Sequence, residues 1–167
     1  MVEPLLHFVV PFVSLRSVGF DLRNSTLASL IALTPDLDVL FNNHRSPTHS
    51  LIVVGLVMLS LLALTWKRKT ARSLAMLAAF GVFSHILLDL FQTYTPKLWP
   101  LSSQSVQLWP NLEFHMWSRV LLWYPSSWLN APLITAEGLG ISLVLLGPTL
   151  AKIVWSRLSD SENRKSK

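Results

Sequence analysis

The chain has 167 residues, carries a formal net charge of +5 and contains no cysteine. Hydrophobic residues make up 51% of it and charged residues only 14%, against about 25% charged residues in a typical soluble domain. The absence of cysteine excludes disulfides, thiolate metal ligands and cysteine nucleophiles. The low charge predicts that the apolar runs enter a membrane instead of filling a soluble core.

The basic residues are gathered in short clusters beside apolar runs, at Lys67–Arg72 and in the tail from Arg157 onwards. A nucleic-acid-binding protein would carry a basic stripe or patch on one face, so we predict no nucleic-acid partner. Clusters that flank apolar runs are typical of the cytoplasmic ends of membrane helices. Because Glu3 precedes the first basic residue, the apolar start does not match a signal peptide, and we expect it to be retained.

Five apolar runs predict five helices. The first two are short: Leu5–Leu15 is interrupted by Pro11, and Thr26–Leu33 is ended by Pro35. We expect both to be short or partly inserted. Three longer runs follow as candidate spans: Ser50–Trp66, Ser73–Phe91 and Leu133–Trp155.

These runs predict an all-α, polytopic bundle of about five membrane helices. Residues 92–132 contain five prolines and five of the seven tryptophans, and tryptophan favours the membrane–water interface. We expect this stretch to be an interfacial loop with a short helix near Leu112–Leu122. Residues 1–157 are predicted to form one membrane-embedded domain, and residues 158–167 a polar, disordered cytoplasmic tail.

The basic clusters also predict the orientation, because cytoplasmic loops are enriched in Lys and Arg. With the C-terminus and Lys67–Arg72 in the cytoplasm, the chain starts outside and its polar candidates meet at the outer face. Those candidates are His7, Asp36, Asp38, His44, Arg45, His49, His85 and Asp89.

His85 and Asp89 are the first pair that indicates chemistry. They are four residues apart within an apolar run, so they project from one face of a helix. Ionisable residues inside a membrane segment are functional candidates, because burying an unpaired carboxylate is costly. A divalent metal would compensate that cost. The alternative is a His–Asp hydrogen bond that holds two helices together.

A second group follows the second run. Asp36 and Asp38 offer carboxylate ligands, and the sequence HRSPTHS then supplies His44, Arg45 and His49. We expect Asp36, Asp38 and His49 to bind metal together with His85 and Asp89, and His7 to join them. The alternative is solvated or capping aspartates and side chains that contact lipid headgroups. His115 and Glu137 are weaker ligand candidates.

The combination of His7, PDLD, HRSPTHS and HILLD resembles the YdjM-like family of predicted membrane-bound metal-dependent hydrolases, from about His7 to Pro100. That family is distantly similar to zinc-dependent phospholipase C and the S1/P1 nucleases, which use an HxxxD helix in a multi-zinc site. The resemblance implies an all-helical membrane protein with a metal-dependent hydrolase site, in which His85 and Asp89 match that helix.

These observations lead to two hypotheses. In the first, one or more Zn²⁺ ions activate water against a phosphoester or ester of a lipid or lipid-linked substrate. Arg45 then holds the anionic group and His44 protonates the leaving oxygen. In the second, the protein is a non-catalytic transporter subunit or scaffold, and the same residues bind an ion in transit or hold helices together.

Overall fold

The computed structural model describes residues 3–41, 47–92, 96–104, 120–123 and 132–165. This part of the chain is mainly helical, as the sequence predicts. Its elements are α1 (Pro4–Ser17), α2 (Leu22–Ile31), a 3-10 helix (Thr34–Phe41), α3 (Leu51–Thr65), α4 (Lys69–Gln92), β1 (Val120–Trp123), β2 (Pro132–Thr135) and α5 (Ala136–Lys165). The strands β1 and β2 pair antiparallel in a two-stranded ribbon.

Two helices of the described chain are long and apolar enough to cross a membrane, at Lys69–Leu90 in α4 and Ala136–Ser156 in α5. The helices α1 and α3 are apolar but have only 14 and 15 residues. They rise about 21–23 Å, less than the roughly 30 Å of a bilayer core. The prediction of a third independent span at Ser50–Trp66 is therefore not confirmed.

The outer surfaces of α3, α4 and α5 are apolar. Exposed side chains include Leu56 and Leu59 on α3, Phe83 and Leu87 on α4, and Val144 on α5. A soluble monomer rarely exposes such an extended apolar surface. Lipid chains would cover it at no cost, because a helix satisfies its own backbone hydrogen bonds.

The helices α1 and α4 lie at the centre of the bundle. α1 contacts α2, α4 and α5, while α4 contacts α1, α2 and α3. Gly81 makes the crossing of α4 with α2 close, because a Cβ at this position would lie 2.4 Å from the carbonyl oxygen of Ala28. Ala28 and Ala32 are fully buried in the same contact. This crossing holds the end of α2, and so the start of the 3-10 helix, against α4.

Gly81→Ala is expected to destabilise the protein, although alanine favours a helix over glycine by about 1 kcal/mol. The added methyl group meets backbone, so α2 must move away, at a cost of about 1–3 kcal/mol. Gly55→Ala in α3 is the matched control, because its Cβ would meet nothing within 4 Å. Thermal unfolding in detergent measures both. A Gly81→Ala protein as stable as the Gly55→Ala protein would contradict the close crossing.

Several local predictions differ from the structure. Pro11 does not interrupt α1, which continues to Ser17 although one backbone hydrogen bond is lost. α2 begins after Asp21, whose side chain accepts the backbone N–H of Asn24 at 2.7 Å. The segment that carries Asp36 and Asp38 forms the 3-10 helix.

Two predictions for the second half of the chain also need correction. Of the short helix expected near 112–122, residues 120–122 belong to strand β1, and residues 112–119 lie outside the described residues. The expected disordered tail is helical as far as Lys165. No proline or glycine follows Pro148, so no residue of the kind that usually ends a helix stops α5 at the membrane surface.

A buried carboxylate ties the starts of α1 and α5 together. Glu3 is 1% exposed, and its carboxylate accepts the backbone N–H of Thr135 at 2.9 Å and the hydroxyl of the same residue. The Thr135 hydroxyl oxygen accepts in turn the N–H of Gly138. A side chain at Gly138 would overlap the Glu3 carboxylate. The positive ends of two helix dipoles therefore meet one negative charge.

Candidate metal centre

Five of the predicted ligands converge at one end of the bundle. His7 lies in the first turn of α1, Asp36 in the 3-10 helix, His49 just before α3, and His85 and Asp89 in the last turns of α4. All five are at most 7% exposed. The structure thus brings together side chains from four separate segments of the chain.

The turn that carries His49 is fixed by the start of α3. The side-chain oxygen of Ser50 accepts the N–H of Val53 and donates to the carbonyl oxygen of Trp99. The N–H of Leu51 donates to the carbonyl oxygen of Lys97 at 2.9 Å. The loop at 96–104 therefore returns to the head of α3 and holds His49 beside α4.

Four donor atoms lie at nearly equal separations. The Nε2 atoms of His49 and His85 are 3.1 Å apart. Oδ1 of Asp36 is 3.4 Å from the first and 3.5 Å from the second, and Oδ2 of Asp89 is 3.3 Å and 3.5 Å from them. Four ligands at about 2.0–2.1 Å around a tetrahedral zinc ion are about 3.3–3.4 Å apart. These separations are close to five of the six edges of that tetrahedron. Asp36, His49 and His85 form one group of potential ligands whose donor atoms all lie within 4.8 Å of one another.

A second group of potential ligands shares His85 with the first. His7, His85 and Asp89 offer atoms that lie within 4.8 Å of one another. Nε2 of His7 is 3.5 Å from Oδ1 of Asp89, and the His7 ring stacks on His85 with the centroids 3.8 Å apart. The two oxygens of Asp89 thus face the two groups.

Asp38 lies behind His49 and belongs to neither group of potential ligands in the described chain. Its Oδ2 is 3.5 Å from Nδ1 of His49 and accepts the hydroxyl of Thr48 at 2.5 Å. The separation from Asp36 follows from the 3-10 helix, because three residues per turn point residues i and i+2 in different directions. Asp38 thus contacts the outer nitrogen of His49, and its role as a metal ligand stays a prediction.

The carboxylates change the protonation of the groups outside the membrane helices. Burial lowers the pKa of His49, but hydrogen bonds with Asp36 and Asp38 outweigh it and raise the pKa to about 8. Burial raises the pKa of Asp36, but the hydrogen bond with His49 and the nearby imidazoles lower it overall. His49 is therefore protonated in the metal-free protein at neutral pH, and a metal must displace that proton.

The metal-free protein is expected to lose stability between pH 6.5 and about 8. The pKa of folded His49 is raised from 6.5 to about 8, so its stabilisation is complete below pH 6.5 and disappears as pH rises through 8. The change is of the order of 2 kcal/mol at most. Thermal unfolding with a chelator present measures it. His49→Gln should flatten this pH dependence, and an unchanged slope would contradict the assignment.

Lys97 is a member of the site that the sequence analysis missed. Its side chain is 1% exposed, and Nζ lies 3.9 Å from Oδ2 of Asp89. One sequence signal points to it, because Lys97 is the only Lys or Arg between Arg72 and Arg119. The cluster therefore combines three carboxylates, three imidazoles and one ammonium group.

Four candidates remain: His44, Arg45, His115 and Glu137. His44, Arg45 and His115 lie outside the described residues, so the catalytic roles expected of His44 and Arg45 stay predictions. Glu137 lies in the first turn of α5 and belongs to neither group of potential ligands among the described residues.

The comparison with protein families gives a match over most of the chain. The family described as YdjM inner membrane protein matches residues 7–158. Comparisons with curated proteins and with solved structures found no significant match, so the expected kinship with phospholipase C and the S1/P1 nucleases has no support from them. The matched residues include all the converging ligands and both long apolar helices. The chain therefore belongs to the YdjM inner membrane protein family.

Proposed function

We propose that the protein is a membrane-embedded, metal-dependent hydrolase that cleaves a phosphoester or ester of a lipid or lipid-linked substrate. The observation that supports this most is the set of five near-equal separations among the donor atoms of Asp36, His49, His85 and Asp89. The donors lie at one end of helices whose outer surfaces are apolar, which suits a substrate that enters from the bilayer.

Zinc fits the donor set, because imidazole nitrogen and carboxylate oxygen are both common zinc ligands and the chain has no cysteine to compete. When bound, zinc lowers the pKa of a coordinated water and polarises an ester oxygen. The Thr48 hydroxyl donates to Asp38, so its oxygen can accept the Nδ1–H of His49 at 3.0 Å, which keeps the Nε2 lone pair directed at the ion. One or more ions fit, since His7 extends the site on the far side of Asp89.

Lys97 is the described residue best placed to hold an anionic substrate oxygen. Its ammonium group lies beside Asp89, and its backbone carbonyl is held by α3, so the group is already positioned before substrate arrives. Charge-assisted hydrogen bonds to phosphoryl or carbonyl oxygens are strong in such buried sites. The roles proposed for Arg45 and His44, anion binding and proton donation, rest on sequence alone.

A second function is a non-catalytic metal-binding membrane protein, such as a transporter subunit or scaffold. It is favoured by the position of Asp89, whose Oδ2 lies 3.3 Å and 3.5 Å from the nitrogens of His49 and His85. With Asp89 as a fourth ligand beside Asp36, His49 and His85, the zinc shell would be full, as in structural sites, whereas catalytic sites keep a position for water. The second ligand group favours the hydrolase, because an ion bound by His7 and shared ligands would have fewer protein donors.

A hydrolysis assay distinguishes the hydrolase from the non-catalytic metal-binding protein. Detergent-purified, zinc-loaded protein is assayed against p-nitrophenyl phosphate, p-nitrophenyl acetate and phosphatidic acid in mixed micelles. The hydrolase requires turnover of at least one of them that a chelator abolishes and zinc restores. If the protein binds stoichiometric zinc and turns over none of these substrates, and zinc is taken up into proteoliposomes, the protein is an ion-binding membrane protein and not a hydrolase.

The proposed orientation places the metal centre on the extracytoplasmic face and the C-terminus in the cytoplasm. The cysteine-free chain allows a direct test with single cysteines at Ser103, near the site, and at Lys67, at the opposite end of the bundle. A membrane-impermeant maleimide applied to intact cells is expected to label Ser103→Cys and not Lys67→Cys. The reverse labelling pattern would place the site in the cytoplasm.

A further inference from the structure

An open apolar groove of about 250 Å³ lies beside the metal centre. Its length is lined by Val53, Val57 and Met58 of α3 and by Val82 of α4. The end nearest the metal centre, called the upper end below, is closed by Pro35 and Thr48. Pro35 directly precedes Asp36, and Thr48 directly precedes His49. The groove therefore ends against the two short segments that carry metal ligands.

The wall of the groove continues into the scaffold of the site. Val82 packs with Val54 and Ile86 in one buried cluster, and Ile86 follows His85 in α4. The threonine hydroxyls at the upper end already donate within the protein, Thr34 to the carbonyl of Ile31 and Thr48 to Asp38. The groove thus presents apolar surface throughout, and any polar end of an occupant would lie towards the metal ligands.

The groove opens towards the side of the bundle that lipid covers. Val57 is 54% exposed and its neighbour Leu56 is 62% exposed, while Phe83 of α4 is 39% exposed. A protein segment in this place would need partners for its backbone polar groups, which the apolar lining does not offer. A hydrocarbon chain needs none, and the volume is below the 300–1,000 Å³ typical of pockets for whole ligands. The groove therefore suits part of one chain.

We propose that this groove is the subsite for a hydrocarbon chain, acyl or isoprenoid, of the substrate. The proposal rests on the proposed function and adds to it that the chain, held between α3 and α4, brings the scissile ester to the ligands at the upper end. Such binding is equal in the ground state and the transition state, so it acts on KM and leaves kcat unchanged.

Val57→Trp fills the groove from its exposed side, and Val144→Trp is the matched control on α5, where Val144 is 75% exposed and does not line the groove. For dioleoyl phosphatidic acid in micelles, the first variant is expected to raise KM about 10-fold or more. Its turnover of p-nitrophenyl phosphate should stay unchanged, and the control should resemble the parent protein for both substrates. Equal effects of Val57→Trp on both substrates would overturn the proposal.

Photocrosslinking tests the groove independently of turnover. A phosphatidic acid with a diazirine in its acyl chain is irradiated with the protein in nanodiscs, and the labelled peptides are identified by mass spectrometry. Labelling is expected to concentrate on Val53–Met58, to fall in Val57→Trp and to persist after the metal is removed. Persistent labelling without metal-dependent turnover would refute the hydrolase alone. Labelling spread evenly over the exposed faces of α3, α4 and α5 would refute the chain subsite.

Discussion

Asp89→Asn is expected to empty the metal centre. Oδ2 of Asp89 is one of the four converging donors, and its Oδ1 faces His7, so an amide at this position removes negative charge from both groups of potential ligands. His85→Ala removes the donor that both groups share. We expect zinc to fall from at least one ion per chain to below about 0.1 in each variant, since a metal ligand contributes far more than the 10–100-fold of an outer partner. Elemental analysis of detergent-purified protein measures this.

Two further aspartates make this result specific. Asp21→Asn is the control, because Asp21 caps α2 at the opposite end of the bundle and its loss should leave zinc unchanged. Asp38→Asn should weaken zinc binding by about 10–100-fold and still reach full occupancy at high zinc, because Asp38 contacts only the outer nitrogen of His49. Full zinc occupancy in Asp89→Asn would end the metal assignment. If the zinc content of Asp38→Asn is as low as that of Asp89→Asn, Asp38 is itself a metal ligand.

Lys97→Met is expected to remove turnover while the metal stays. Methionine keeps much of the length and apolar stem of lysine, so the packing of the loop at 96–104 should survive, but no positive charge remains to hold a substrate oxygen. Removal of one such preorganised donor costs about 100- to 1,000-fold in kcat in well-studied enzymes. The measurement is kcat with zinc content determined on the same sample.

Lys97→Arg is the matched variant, because it restores the charge with a larger head group. We expect partial recovery of kcat and unchanged zinc. If Lys97 only balances the charge of Asp89, Lys97→Met will instead lower zinc content and stability together, and the kcat per bound zinc will equal that of the parent protein. That outcome would remove Lys97 from substrate binding and leave it a structural partner of Asp89.

The closeness of the candidate ligands in the structure follows from features that the sequence already shows. His85 and Asp89 stand four apart in an apolar helix, and His49 directly precedes the capping residue of another helix. Such positions are fixed by local rules of helix geometry and membrane topology. The ends of helices in a bundle must meet at one of two faces, so ligands near those ends were confined to few arrangements.

The features of the site and fold that the sequence did not predict depend on contacts between distant segments. Lys97 reaches the site because the loop after α4 folds back on the head of α3 through Ser50 and Leu51, and no periodicity in the sequence indicates that return. Asp38 and Asp36 point in different directions because their segment forms a 3-10 helix. The residues after Pro35 carry no pattern that predicts this helix. The ribbon of β1 and β2 likewise depends on pairing between separate segments.

The tie between Glu3 and Thr135 bears on how the protein is made. The two residues are 132 positions apart, so the ribosome releases the start of α1 long before the segment that supplies the hydrogen-bond donors for Glu3. During that interval the Glu3 carboxylate lacks these donors, so we expect α1, and with it His7, to reach its final position late. Nascent chains stopped before Thr135 should therefore be rapid targets of membrane proteases, and loading of the centre should await completion of the polypeptide.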